Sequence, residues 1–152
     1  GFTPVVTTSH VVRSMSAARN FYERALGMRP LIDVELHAPE SNAFLRLPPA
    51  ARTHVTFMQG NHMFGKLALS QPLNYLQECD ELAPRAHAPN QGYLAQIFEV
   101  ADVSAAYWAC RELAAEGLTA PTQLHIPGFG LRRGFVVRAP GSGAQQWLIA
   151  RD

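Results

Sequence analysis

The residues best suited to proton chemistry in this 152-residue chain are its six histidines, because an unperturbed imidazole titrates near neutrality. His54 alternates with Thr56 and Met58 along a strand-like run, which places the three on one face. His125 stands at a strand end, shortly before Pro127-Gly128. On the residues alone, each reads equally as a satisfied or solvated histidine and as a proton carrier. His10 is expected to face the helix-covered side of the first strand, opposite Thr7 and Ser9, while His37, His62 and His87 fall in or beside turns. Arg132-Arg133 reads as an exposed hairpin pair or as an anion clamp. Trp147 reads as core, and Phe129 as either core or a ring to stack on an aromatic ligand. The two cysteines, Cys79 and Cys110, lack metal-ligand spacing, and Cys110 falls on an apolar helical face as a buried, inert thiol.

The elements that must position these groups occur in a repeated order. Pro4 to Arg13 is rich in β-branched residues and predicts a strand. A helix over Ser16–Leu26 follows, with Ala18, Phe21, Tyr22, Ala25 and Leu26 on one face, Ser14 or Ser16 as cap and Gly27 as stop. Leu31–Leu36, Ala43–Leu47 and His54–Met58 predict three short strands. The order then recurs. Tyr93–Val100 predicts a strand, Asp102 an N-cap, Val103–Glu116 a helix ended by Gly117, and Leu118–Ile126, Gly134–Arg138 and Gln145–Ala150 three more strands. The two helix starts, Ser14 and Asp102, lie 88 residues apart, a duplication of pattern rather than of letters. Gly60 to Asn90 reads as an irregular connection with at most one short helix near Leu73–Cys79.

Composition narrows the class of protein. An apolar fraction of 47% suits a globular domain. A net charge of +1 supplies no electrostatic footprint for nucleic acid or an anionic membrane, and twelve of the 13 basic residues being Arg reads first as genomic composition bias. No apolar run approaches the ~18 residues that cross a bilayer, and no signal peptide is expected from the opening residues, which lack a basic-then-apolar pattern. Gly1 in place of Met is read as a trimmed start. Cytoplasmic location is the expectation.

The letters carry a resemblance. Phe21-Tyr22-Glu-Arg-Ala-Leu26-Gly27 matches an FYxxxLG signature, Phe98-Glu99-Val100-Ala101-Asp102 an FEVxD signature, and Pro140-Gly141-Ser142-Gly143 a PxG turn before the last strand. With two strand–helix–three-strand units, the chain resembles the vicinal oxygen chelate superfamily of glyoxalases, extradiol ring-cleaving dioxygenases, fosfomycin-resistance and bleomycin-binding proteins. Thr53-His54-Val-Thr-Phe and His125-Ile-Pro-Gly128 look most like the dioxygenase branch. The resemblance implies an α+β fold in which two βαβββ units form a curled mixed sheet around a cleft, here written as an eight-stranded open sheet. It implies a first unit over residues 1–59, a connection over 60–92 and a second unit over 93–152, and it implies a homodimer.

The family's metal is held from the first and last strands, and that pattern carries over poorly. The first ligand position falls on Thr7, the second on Ala95 and the third on Gln146, or on Trp147 if the turn holds one extra residue. Thr56 takes the position where glyoxalase-type members have Glu. No iron, zinc, manganese or nickel is therefore expected, nor any other cofactor. The resemblance implies catalytic roles for His54 and His125, with Thr7, Ser9, Thr56, Phe129 and Gln146 binding the substrate. The expected function is binding or transformation of a small, hydroxylated, aromatic or enol-like compound without the usual metal. Alternatives are a bleomycin-resistance-type sequestering protein, a ring-cleaving dioxygenase with His10, His54 and His125 as relocated ligands, and a glyoxalase-type isomerase or lyase.

Overall fold

Each of the two long helices begins where a polar side chain replaces a missing intrahelical acceptor. Ser14 Oγ accepts from the amide of Ala17 at 3.2 Å, starting α1 (Met15–Leu26). Asp102 Oδ1 accepts from Ser104 and Ala105 at 2.8 and 3.0 Å, starting α3 (Val103–Glu112). Gly27, at φ 63°, closes α1 by donating to Glu23. The end of α3 departs from expectation. Ala114 adopts φ 50° and the amide of Ala115 reaches back to Cys110, so the helix stops at Glu112, before Gly117. The computed structural model describes residues 6–75 and 95–151.

The strands are β1 (Thr7–Val11), β2 (Arg29–Leu36), β3 (Thr53–Gln59), β4 (Lys66–Pro72), β5 (Ala95–Val100), β6 (Thr122–Ile126), β7 (Gly130–Arg138) and β8 (Gln145–Ala150). They form two four-stranded mixed sheets, ordered β1-β4-β3-β2 and β5-β8-β7-β6. In each, the first and last strands of the unit pair in parallel, and the remaining neighbours run antiparallel. The α+β class and the two βαβββ units are as expected, with two sheets in place of a single eight-stranded one.

Two further expectations fail. Ala43–Leu47 is not a strand: its first two residues end a short helix, α2 (Pro39–Phe44), which Pro39 initiates and after which Arg46 turns at φ 56°. Buried Asn42 holds this loop by donating to the carbonyls of Pro49 and Ala51. The missing strand of the first unit is β4, inside the span expected to be irregular, where Leu67 and Leu69 alternate into the core. The helix expected near Leu73–Cys79 lies, from residue 76 onward, outside the described residues, as do Cys79 and His87.

Both units share one core. Phe21, Tyr22, Met58, Leu67 and Leu69 from the first join Val103, Cys110, Phe135 and Leu148 from the second. Tyr22 meets Phe98 across the boundary, with ring centroids 6.4 Å apart, and Arg24 pairs with Glu112 between the helices at 2.7 Å. The PxG turn reaches the first unit as well. A Cβ on Gly141 would stand 3.1 Å from Val12, and Ser142 Oγ lies 3.2 Å from His10 Nδ1. Edge strands β1 and β5 meet where Gln96 Nε2 donates to Thr8 Oγ1 at 3.3 Å.

Candidate functional site at the seam of the two sheets

Strand alternation sorts the side chains onto two faces. Toward the helices point His10 and Val12 from the first unit's opening segment, Leu67 and Leu69 on β4, Phe98 and Val100 on β5, and Gln146 and Leu148 on β8. The opposite face is covered by neither long helix among the described residues. There Thr7 and Ser9 stand beside Lys66 and Ala68, and Ala95 and Ile97 stand beside Gln145 and Trp147. Because β1 and β5 meet at their edges, these residues line one seam. The indole of Trp147 donates to Gln145 Oε1 at 3.3 Å, and Val136 and Ile97 flank it in register. In the first sheet the row Ser9, Ala68, Phe57, Ile32 continues this face as a largely apolar floor.

The fold's usual divalent metal would sit on this seam, and the donors present do not fit it. Thr7 and Ala95 open the edge strands β1 and β5 and both face the open side. Gln146 does not: it faces the helices, fully buried, with Nε2 donating to the Ala144 carbonyl at 3.2 Å. Its place on the open face passes to Gln145 and Trp147. The set is then a hydroxyl, a methyl, an amide and an indole, none a strong ligand for Fe, Zn, Mn or Ni. No group of three His, Cys, Asp or Glu side chains gathers among the described residues. The relocated set is likewise not assembled. His10 lies under Ser142, His54 against Asp33, and His125 on the outer strand β6.

His54 and Thr56 also leave the seam. The last strand of the first unit is β4, so β3 sits one place further out, and register puts both residues on the helix face, beside Gln71 and Leu69. There they build a separate cluster. His54 Nε2 lies 2.6 Å from Asp33 Oδ1, Thr56 Oγ1 donates to the same oxygen at 2.8 Å, and Arg19 donates to Oδ2 at 2.6 Å. Hydrogen bonds from Thr56 and His54, with the Arg19 charge, hold the Asp33 carboxyl below its ordinary value. Asp33 and Arg19 were not among the expected site residues. The signal for them was three-dimensional, since Asp33 faces Thr56 only once β2 and β3 are in register.

The remaining candidates lie apart. His125 is exposed on β6, opposite Leu131, and Phe129 is half-exposed in the β6–β7 turn. Arg132 and Arg133 are consecutive in β7 and project to opposite faces, so they do not form a joint clamp. Cys110 is fully buried, and burial pushes its thiol up to about 11, which leaves it inert as expected.

Comparison with known proteins bears on the fold. The family model of the glyoxalase/bleomycin resistance protein/dioxygenase superfamily matches residues 5–143, and the chain belongs to that superfamily. No curated protein matches in sequence. Among solved structures, a glyoxalase family protein from Bacillus cereus is similar with a TM-score of 0.79 and 19% identity, over 99% of this chain and 95% of that one. An integron cassette protein from V. cholerae is similar at 0.59 and 15%, over 100% and 98%. A point variant of glyoxalase I from Zea mays is similar at 0.62 and 13%, with 97% of this chain spanning 45% of the maize chain. At these identities the likeness is one of fold. No helix is long and apolar enough to cross a membrane among the described residues.

Proposed function

We propose that the protein binds a small, flat, hydroxylated aromatic or enol-like compound at the seam, as a glyoxalase- or dioxygenase-like member that works without a divalent metal. One observation carries this reading: the seam positions that would hold metal present Thr7, Ala95, Gln145 and Trp147. Trp147, Ile97 and Val136 offer apolar surface for a ring, and Thr7, Ser9 and Gln145 offer hydrogen bonds to its oxygens. His54 and His125 take no part on this face, so the reading is one of binding and carries no proton transfer at the seam.

The experiment is a titration with catechol of Trp108→Phe protein, in which Trp147 is the one remaining indole. Saturable quenching that persists in EDTA, and is lost on Thr7→Val with Gln145→Leu, is expected. Quenching that appears only after Fe(II) or Zn(II) is added would overturn the metal-free reading.

A second reading, sequestration in a groove between two copies, gains from the same face. Val11, Ile32, Val34 and Ile97 are exposed there, and Glu99 adds an acidic group. A homodimer in light scattering, tightened by ligand, supports it, whereas a monomer that binds catechol unchanged speaks for the first reading.

A further inference from the structure

The chain has a single lysine, and β4 sets it beside the seam. Leu67 and Leu69 point into the core, so alternation turns Lys66 to the open face, in register with Thr7. Lys66 and Trp147 thus stand one strand in from the seam on its two sides, Lys66 next to β1 and Trp147 next to β5.

The turn between β3 and β4 fixes where the ammonium sits. Gln59 Nε2 donates to the His62 carbonyl at 3.0 Å, the Phe64 amide donates to His62 Nδ1 at 3.1 Å, and Gly65 turns at φ 74°. This closed turn presents the Met63 carbonyl to Lys66 Nζ at 2.7 Å. An ammonium has three donors, and the carbonyl takes one. No ion pair reaches Lys66 among the described residues, so its half-buried charge is met by one neutral oxygen.

Other charged groups on this face are placed differently. Glu99 on β5 stands in register with Ile149 and is exposed, so water and salt screen it. Arg138, in register with Gln145, donates to the Gly143 carbonyl at 3.1 Å and so serves the turn before β8.

We propose that the seam selects an acid: a hydroxylated ring that lies on Trp147 and bears a carboxylate, which accepts hydrogen bonds from the two remaining N–H groups of Lys66. The inference rests on the seam reading and adds the charge of the ligand to it. A charge-assisted bond to an ammonium already held at one proton orders little that was free, which favours the acid over the neutral ring.

The probes are catechol and protocatechuate, which share the ring and both hydroxyls and differ by one carboxylate. Each is titrated into Trp108→Phe protein in EDTA at low ionic strength and followed by Trp147 fluorescence. Protocatechuate is expected to bind about fivefold more tightly than catechol, with a preference that shrinks as salt is raised. Lys66→Gln should bring the ratio of the two affinities to about one, and Lys66→Arg should keep the preference. Equal affinities in the starting protein, or a preference that survives Lys66→Gln, would overturn this inference and leave the seam reading standing on catechol. Quenching by neither compound would overturn both.

Discussion

His10 carries its imidazole into the core at 4% exposure, where Ser142 Oγ of the second unit meets Nδ1 at 3.2 Å. Burial lowers its pKa from the ordinary 6.5, because the charged ring loses water. The unfolded chain therefore binds the proton more readily than the folded one. This stabilisation is complete above pH 6.5 and is lost as pH falls through the depressed folded value. Thermal melts should show Tm dropping between pH 7 and 5, and His10→Phe should flatten that part of the profile. The substitution is suggested by the duplication, since the residue 88 positions on is Phe98, which packs against Tyr22. An unaltered pH slope in His10→Phe would assign the effect elsewhere. At this scale the sequence was partly legible. Strand alternation sent His10 to the helix side and Thr7 and Ser9 away from it, as expected. Gln146 was misread because a one-residue step reverses a strand side chain, and the length of the PxG turn sets that step.

At the level of elements, the two long helices could be read from caps and stripes, because Ser14, Asp102 and Gly27 act locally. The outer strands could not. Ala43–Leu47 is a short apolar run that periodicity cannot divide between helix and strand, and Pro39 with buried Asn42 decides for helix. Strand β4 has only Leu67 and Leu69 to mark it, between Gly65 and Pro72, and its identity comes from the partners on either side. That single displacement moved Thr56 and His54 to the far face. Pairing between β7 and β8 is tight enough to test. A Cβ on Gly134 would stand 2.6 Å from the Leu148 carbonyl oxygen and 3.0 Å from Ile149 Cγ2. Gly134→Ala should destabilise the protein by about 1–3 kcal/mol in urea unfolding, the usual cost of overpacking against groups that cannot yield. A change within error would show that β8 can retreat.

Across the whole molecule, the repeat of strand, helix and strands announced both the superfamily and the shared core, since each unit repeats the same apolar stripes. Function was less legible. The face proposed for binding is assembled from strands far apart in sequence, so its members are brought together only by the pairing of β1 with β4 and of β5 with β8. The cluster around Asp33 was invisible, because Arg19, Asp33 and His54 come from three elements. The parallel pairing of each unit's first and last strands also governs the time the chain needs to reach its native state. Thr7 must find Lys66 and Ala95 must find Gln145 across an entire unit, whereas β3–β4, β6–β7 and β7–β8 are neighbours in sequence. Distant closures lose chain entropy before any contact compensates for it, so refolding should take on the order of milliseconds to seconds. Pulsed hydrogen exchange should protect amides of β3, β4, β7 and β8 in their antiparallel ladders before those of β1 and β5. Early protection of β1 or β5 would mean that the units close before their hairpins form.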